Sequence, residues 1–177
     1  MTTPSVAKLG HVGIYVNDLE KQKAFYRDVI GLTVSDEDLE VGLVFLSARP
    51  KEEHHEFLLA RGREAAADVR LVNQISFRCN SLDDILAYYR RFRQHEVKIQ
   101  RTVSHGNAVS IYFFDPEGNR CEVYWDTGLK AKQPYLVMID LDTPADQLMK
   151  EIEESVRQYG QSGLINPDDL NRSNVSN

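Results

Sequence analysis

The sequence repeats itself at an offset of 63 residues, and this repeat limits the folds open to the chain. The first copy begins HVGIYVNDLEKQKAFY and the second begins QISFRCNSLDDILAYY, so that Leu19 matches Leu82 and Tyr26 matches Tyr89. Because related copies of a sequence fold into related supersecondary units, we predict two similar modules in tandem.

Both copies carry the same order of structural signals. Each opens with an alternating run, which is typical of a half-buried strand, at 10–16 and at 73–79. An Asn-Asp or Asn-Ser pair then suits a helix N-cap, and Gly31 suits the end of the first helix. Three short strands are predicted to follow in each copy, near 32–35, 41–48 and 54–60, and near 96–102, 108–114 and 120–126. We therefore predict an α+β fold of two βαβββ modules, 8–60 and 71–127, that form one domain with a cup-shaped mixed sheet.

The chain continues beyond the repeat as a C-terminal extension, 128–177. It is irregular to about 142, and a helix is predicted at about 143–160 with Pro144 in its first position and Gly160 at its end. The apolar stripe of this helix should pack on the domain or on a second subunit. A polar tail follows it.

Charge and hydropathy exclude two classes of partner. The chain has 21 Lys and Arg against 27 Asp and Glu, a net charge of −6, which argues against nucleic acid. It has no apolar run of about 18 residues, so no membrane span is predicted. The first residues lack the features of a signal peptide, so we expect a cytoplasmic protein, with Cys79 and Cys121 reduced and buried.

Several ionisable or amide side chains stand where strands normally carry apolar ones. His11 opens the first strand, Gln74 opens its repeat copy, and Glu122 lies within the last strand. If a pseudo-twofold axis relates the copies, these three side chains converge and form a plausible divalent-metal site.

Strand parity bears on two further positions. Glu122 and Tyr124 share one face of their strand. His55 and Glu56 are neighbours on the predicted strand 54–60, so a regular strand directs only one of them into the cup.

The segment Ser104-His105-Gly106-Asn107 precedes the strand that holds Tyr112. A His in a small flexible loop followed by an inward Tyr is typical of hydrogen-bond donors around a site. A solvated loop histidine is the alternative interpretation.

These residues carry a resemblance to a known family. Over 8–127 the repeat, the segment LGHVGIYV and the ending DPEGNRCEVYW are similar to the vicinal oxygen chelate superfamily, which is built from paired βαβββ modules. Within it, extradiol ring-cleavage dioxygenases of the biphenyl-diol type are the most similar members. That similarity rests on three features: His54-His55 before an apolar run, the loop 104–107, and Tyr112 ten residues before Glu122.

The resemblance implies a role for each candidate residue. His11 and Glu122 would be metal ligands, and His55 would be the acid–base group. His105 and Tyr112 would contact a catechol-type substrate, together with Asn107 and Tyr124. The implied reaction is cleavage of an aromatic diol with O2 by a homodimer. The implied cofactor is Fe(II), with Mn(II) or another divalent ion as alternatives.

One departure from the family leaves the function open. Where the family has its second ligand histidine, this chain has Gln74, a weaker donor for Fe(II), and no metal is expected if Gln74 abolishes the site. A non-catalytic small-molecule binding protein of the same fold is therefore an alternative. A third possibility is a glyoxalase-like metal-dependent lyase or isomerase with Glu56 as an added ligand, since Glu56 pairs with Glu122 by repeat position.

Overall fold

The computed structural model describes residues 6, 8–66, 69 and 72–163. The chain divides into two compact units, residues 1–69 and 70–177, and each unit contains one copy of the repeat. Most of the predicted polar tail and part of the connector between the copies lie outside the described residues.

The N-terminal unit is a four-stranded sheet covered by a short helix. Its strands are β1 Val12–Val16, β2 Thr33–Asp38, β3 Leu43–Ser47 and β4 Phe57–Arg61. Strands β1 and β4 pair in parallel and the other pairs are antiparallel, in the order β1-β4-β3-β2. Helix α1 (Leu19–Ala24) continues directly into a π-helical turn (Phe25–Val29).

Local sequence explains where α1 begins and ends. The Asp18 carboxylate accepts a hydrogen bond from the Lys21 backbone N–H at 2.9 Å, which caps the first turn. Gly31 follows the π-helical turn with φ of +88°, the conformation predicted for a residue that ends a helix. Tyr26, in the π-helical turn, is fully buried, and the centre of its ring lies 4.7 Å from the centre of the Phe57 ring. This contact packs the π-helical turn against β4.

The C-terminal unit repeats the arrangement and extends it. Its elements are β5 Ile75–Arg78, α2 Leu82–Gln94, β6 Ile99–Ser104, β7 Ala108–Phe114, β8 Arg120–Asp126, β9 Val137–Met138 and α3 Ala145–Tyr159. Its sheet has the order β5-β8-β7-β6-β9, with β5 parallel to β8 and the remaining pairs antiparallel. The first four strands follow the order of the N-terminal sheet, so the predicted βαβββ repeat and the α+β class are confirmed.

Helix α2 covers one face of this sheet. Ser81 and Asp84 form a reciprocal capping box at its start. Ile85 and Phe92 of this helix are fully buried, and the centre of the Phe92 ring lies 4.4 Å from the centre of the Phe113 ring on β7. Because strand side chains alternate, the neighbours of Phe113 point to the opposite face, where the polar residues gather.

The C-terminal extension packs on its own unit. Strand β9 pairs with β6. The sequence did not predict β9, because this strand has only two residues. Leu148 and Ile152 of α3 are buried, and the Ser155 hydroxyl lies 2.5 Å from the hydroxyl of Tyr135. Pro144 is the N-cap of α3 and not its first helical residue.

Two smaller expectations can be compared directly. Cys79 and Cys121 are both free thiols and both buried, as expected. None of the helices described in the structure combines the length and the apolar character that a membrane span requires.

The buried face of α2 gives a stability prediction. Replacing Ile85 with Ala should lower the free energy of unfolding by about 2–5 kcal/mol, because it leaves a cavity under the helix. The same replacement with Ala at Arg90, which is exposed on this helix, should change the free energy of unfolding by less than about 0.5 kcal/mol. Urea denaturation of both variants checks this, and equal effects would contradict the observed orientation of α2.

Candidate functional site

Glu122 occupies the centre of the polar face of the C-terminal sheet. It is 6% exposed and stands on β8 opposite Ser76 of β5 and Tyr112 of β7. One of its oxygens, Oε2, accepts hydrogen bonds from the Ser76 hydroxyl at 2.6 Å and from Nε2 of Gln74 at 2.9 Å. The carboxylate is therefore held by neutral donors of its own unit.

Gln74 presents its N–H groups to this carboxylate and turns its oxygen away. Nε2 also donates to the Ser76 hydroxyl at 3.0 Å. Oε1 faces Nη1 of Arg120, which donates to it at 3.4 Å and to Oδ1 of Asn73 at 3.1 Å. The amide thus links a carboxylate on one side to a guanidinium on the other.

Tyr112 connects Glu122 to the loop between β6 and β7. Burial raises the pKa of the Tyr112 hydroxyl, and so do the negative charge of Glu122 and the hydrogen bond between the two side chains. The guanidinium groups of Arg120 and Arg101 lie 4.2 Å and 4.8 Å from the centre of its ring. The hydroxyl therefore stays protonated at neutral pH, between one negative and two positive groups.

His105 is oriented from both sides of its ring. Nδ1 lies 2.9 Å from the carbonyl oxygen of Tyr135, which only accepts, so Nδ1 carries a proton and donates it. Nε2 lies 3.1 Å from the oxygen of the Tyr112 hydroxyl, which is within hydrogen-bonding distance. Since α3 holds the Tyr135 side chain, the C-terminal extension helps to position this histidine.

The loop that carries His105 is a tight three-residue connection. His105 N–H donates to the carbonyl of Ala108 at 2.8 Å. Gly106 has φ of +72°, and a Cβ there would lie 2.5 Å from the Cβ of Ala131, so glycine is required. Oδ1 of Asn107 accepts a hydrogen bond from Nε2 of Gln133 at 3.2 Å.

Tyr124 lies on the same face as Glu122, two residues along β8. It pairs with Ser110 and with Arg78 and is half-buried. Among the residues expected at the site, the C-terminal unit therefore brings Gln74, Glu122, Tyr112 and His105 into one hydrogen-bonded group, with Tyr124 beside it.

The N-terminal unit contains a cluster of histidines. The rings of His11 and His55 are 4.4 Å apart, and Nδ1 of His54 lies 2.9 Å from Nδ1 of His55. Burial and the neighbouring His11 and His54 lower the pKa of His55, so this imidazole favours its neutral form. The ring of Phe45 lies 5.0 Å from that of His55.

The position of His55 differs from the parity prediction. Strand β4 begins at Phe57 and not at 54, and the chain bends at Glu56. Alternation therefore does not decide where His55 points, and its ring reaches His11 while Phe57 faces the core.

Glu56 belongs to a turn of the N-terminal unit. Its carboxylate accepts hydrogen bonds from the backbone N–H of Ala48 at 3.0 Å, from Nη2 of Arg49 at 2.9 Å and from the Ser47 hydroxyl at 3.3 Å. Burial opposes ionisation, but the hydrogen bonds and the charge of Arg49 outweigh it and lower the pKa of Glu56.

The strand register also changes the repeat correspondence. Gly13 pairs with Leu58 on β4, and its repeat copy Ser76 pairs with Glu122 on β8. The residue equivalent to Glu122 is therefore Leu58, and the prediction that Glu56 occupies that position is wrong. A Cβ atom at Gly13 would lie 3.3 Å from Cδ2 of Leu58, so Leu58 lies on the same face of the sheet as position 13.

The donors of the C-terminal unit do not fit a divalent metal. Within the described residues no group of three or more His, Cys, Asp or Glu side chains is arranged to hold an ion. At Glu122 the nearest amide offers N–H groups, which cannot bind a cation, and the amide oxygen is turned toward a guanidinium.

Three residues of the site were missed by the sequence interpretation. Ser76 lies two residues after Gln74, and Arg120 lies two before Glu122, so the period of two along a strand could have found both. Arg101 is aligned with Tyr112 after a bulge in β6, and no sequence signal marks that register.

Comparison with known sequences identifies the family and two relatives. The model of the "Glyoxalase/Bleomycin resistance protein/Dioxygenase superfamily" matches residues 8–123. The manganese-dependent 2,3-dihydroxybiphenyl 1,2-dioxygenase of Geobacillus genomosp. 3 is 29% identical over 135 residues, 75% of this chain. Biphenyl-2,3-diol 1,2-dioxygenase 3 of Rhodococcus globerulus is 29% identical over 125 residues, 67% of this chain. The chain spans only 40% and 63% of the lengths of these two proteins.

Comparison with solved structures confirms the fold. The fosfomycin resistance protein FosX of Listeria monocytogenes aligns with a TM-score of 0.57 and 21% identity, over 70% of this chain and 97% of that protein. Lactoylglutathione lyase of Agrobacterium tumefaciens aligns with a TM-score of 0.54 and 24% identity, over 69% of this chain and 96% of its own. At these identities the likeness concerns the fold alone.

The contacts of Glu56 give a pH-dependent prediction. Because its pKa is lowered in the folded protein, Glu56 contributes stability above its ordinary pKa of about 4.3, and this contribution disappears as the pH falls through the folded value. Glu56→Gln should lower the free energy of unfolding at pH 7 by about 1–2 kcal/mol, and the deficit should shrink below about pH 4.5.

Denaturant unfolding of the wild type and the variant across this pH range measures the effect. Glu52→Gln is the matched control, since Glu52 is exposed and its carboxylate lies 3.3 Å from Nη1 of the same arginine. A Glu56→Gln deficit that does not change with pH would contradict the role of the ionised carboxylate.

Proposed function

The chain belongs to the glyoxalase/bleomycin resistance protein/dioxygenase superfamily, and we propose that it binds a small hydroxylated aromatic compound of the catechol type. The observation that carries the proposal is the continuous series of contacts from His105 through Tyr112 to Glu122 in the C-terminal unit. Binding by these groups needs no metal ion.

The charges around Tyr112 suit an acidic hydroxyl. A phenolic group can donate a hydrogen bond when neutral, and as an anion it needs donors or positive charge. Glu122 provides a strong acceptor, while Arg101 and Arg120 provide two positive charges beside the Tyr112 ring. This combination supports a ligand with two adjacent hydroxyls, one that donates and one that carries negative charge.

A buried apolar cluster packs against Tyr112. Val103 and Leu136 are buried against Tyr112, and Met138 packs beside them. Sites for small aromatic ligands combine apolar neighbours with a few placed polar groups. The names of the two relatives, both of which act on biphenyl diols, agree with this ligand class.

A ring-cleaving dioxygenase is the second candidate function. The names of the relatives favour it, and one of those proteins is manganese-dependent. In this candidate a divalent ion, Fe(II) or Mn(II), would supply the chemistry that brings O2 to the diol, and His105 and Tyr112 would contact the substrate. The donors around Glu122 count against it, because Gln74 presents N–H groups where an ion needs lone pairs.

The binding proposal predicts a metal-independent affinity. Isothermal titration calorimetry with 2,3-dihydroxybiphenyl and with catechol, in the presence of EDTA, should show saturable binding. Tyr112→Phe should weaken it about fivefold, because it removes one hydrogen bond worth about 1 kcal/mol. Tyr159→Phe is the control, since Tyr159 is exposed on α3. Absence of binding to both diols, or an unchanged affinity in Tyr112→Phe, would contradict the proposal.

The two candidate functions differ in oxygen consumption. With added Fe(II) or Mn(II), the wild type should consume O2 with 2,3-dihydroxybiphenyl no faster than the metal alone. A clark-type oxygen electrode measures this rate directly. Rapid uptake that disappears in Glu122→Gln would instead establish the dioxygenase.

A further inference from the structure

We infer that Gln74 and Ser76 convert Glu122 into a hydrogen-bonded acceptor that excludes divalent metal ions. This inference deepens the proposed function, since it concerns the same carboxylate, but it does not depend on any aromatic ligand being bound. Its basis is the pair of hydrogen bonds, 2.6 Å and 2.9 Å long, that end on one oxygen of Glu122.

The lone pairs of Oε2 are already committed. A carboxylate oxygen offers two in-plane lone pairs, and here the Ser76 hydroxyl and the Gln74 amide take them. A cation at this oxygen would have to displace both donors. It would also disturb Tyr112, whose hydroxyl bonds to the same carboxylate.

The orientation of the Gln74 amide adds a second obstacle. An amide binds cations through its oxygen, and here that oxygen accepts from the Arg120 guanidinium at 3.4 Å. A half-turn of the amide would bring Oε1 toward the Glu122 carboxylate and leave its N–H groups facing the positive charge of Arg120. Both contacts of the amide would then become repulsive, so the observed orientation is strongly preferred.

The N-terminal unit offers no substitute carboxylate at the equivalent position. The register places Leu58 there, and an aliphatic side chain cannot bind a metal. Glu56 is held instead by Arg49 and the backbone of Ala48. In each pair of repeat-equivalent residues, His11 with Gln74 and Leu58 with Glu122, one residue is a common metal ligand and the other is not.

The inference can be tested by giving position 74 a metal-binding side chain. Gln74 is exposed at the start of β5, so Gln74→His should fold, and circular dichroism checks that it does. Mn(II) is the probe, and electron paramagnetic resonance of the free ion reports how much the protein has bound. Wild type, Gln74→His, Glu122→Gln and the double variant Gln74→His/Glu122→Gln are compared as full-length chains.

We expect the wild type to leave the signal of free Mn(II) unchanged and to show the same melting temperature in Mn(II) as in EDTA. Gln74→His should bind Mn(II) at least about tenfold more tightly than the wild type, a gain on the scale of effects seen when the surroundings of a metal ligand change. The double variant should lose this gain, which would assign the bound ion to Glu122.

Two results would overturn the inference. One is stoichiometric Mn(II) binding by the wild type that disappears in Glu122→Gln. The other is a folded Gln74→His that binds no more Mn(II) than the wild type, which would show that Gln74 is not the cause. Neither result depends on the calorimetry with aromatic diols, so failure of the proposed function remains distinguishable from failure of this inference.

Discussion

The hydrogen bonds that end on Oε2 of Glu122 decide what the C-terminal unit can do chemically. They hold a nearly buried carboxylate in place without neutralising it, and bonds to a charged group are stronger than those between neutral ones. Because Oε2 is occupied, acceptance of a hydrogen bond from a ligand hydroxyl falls to the other oxygen of Glu122. The negative charge of Glu122 also helps to raise the pKa of Tyr112, and the carboxylate orients the amide of Gln74 through its hydrogen bond.

The surrounding structure serves to keep these groups in register. The parallel pairing of β5 with β8 sets Ser76 beside Glu122, and the antiparallel pairing of β7 with β8 sets Tyr112 on its other side. The C-terminal extension contributes through Tyr135, whose carbonyl orients the His105 ring. The extension is therefore part of what positions the site, although it lies outside the repeat.

The sequence predicted most of the fold because its signals are local. The predicted strands 108–114 and 120–126 match the bounds of β7 and β8, and the repeat predicted the βαβββ element order of both units. The sequence-based predictions failed where the pairing of distant strands determines which residues face each other. The observed register matches Leu58 with Glu122, whereas the offset of 63 residues would match Leu59, and neither places Glu56 there. The direction of the Gln74 amide depends on Arg120 and Glu122 together, and no local pattern encodes it.

The central claim is that Glu122 is held by hydrogen bonds and not by a metal ion. The most direct test is X-ray diffraction from crystals grown with excess Mn(II), with data collected where manganese scatters anomalously. We expect no anomalous peak at Glu122 and a Gln74 Nε2 to Glu122 Oε2 separation close to 2.9 Å. A manganese peak within bonding distance of the Glu122 carboxylate would contradict it.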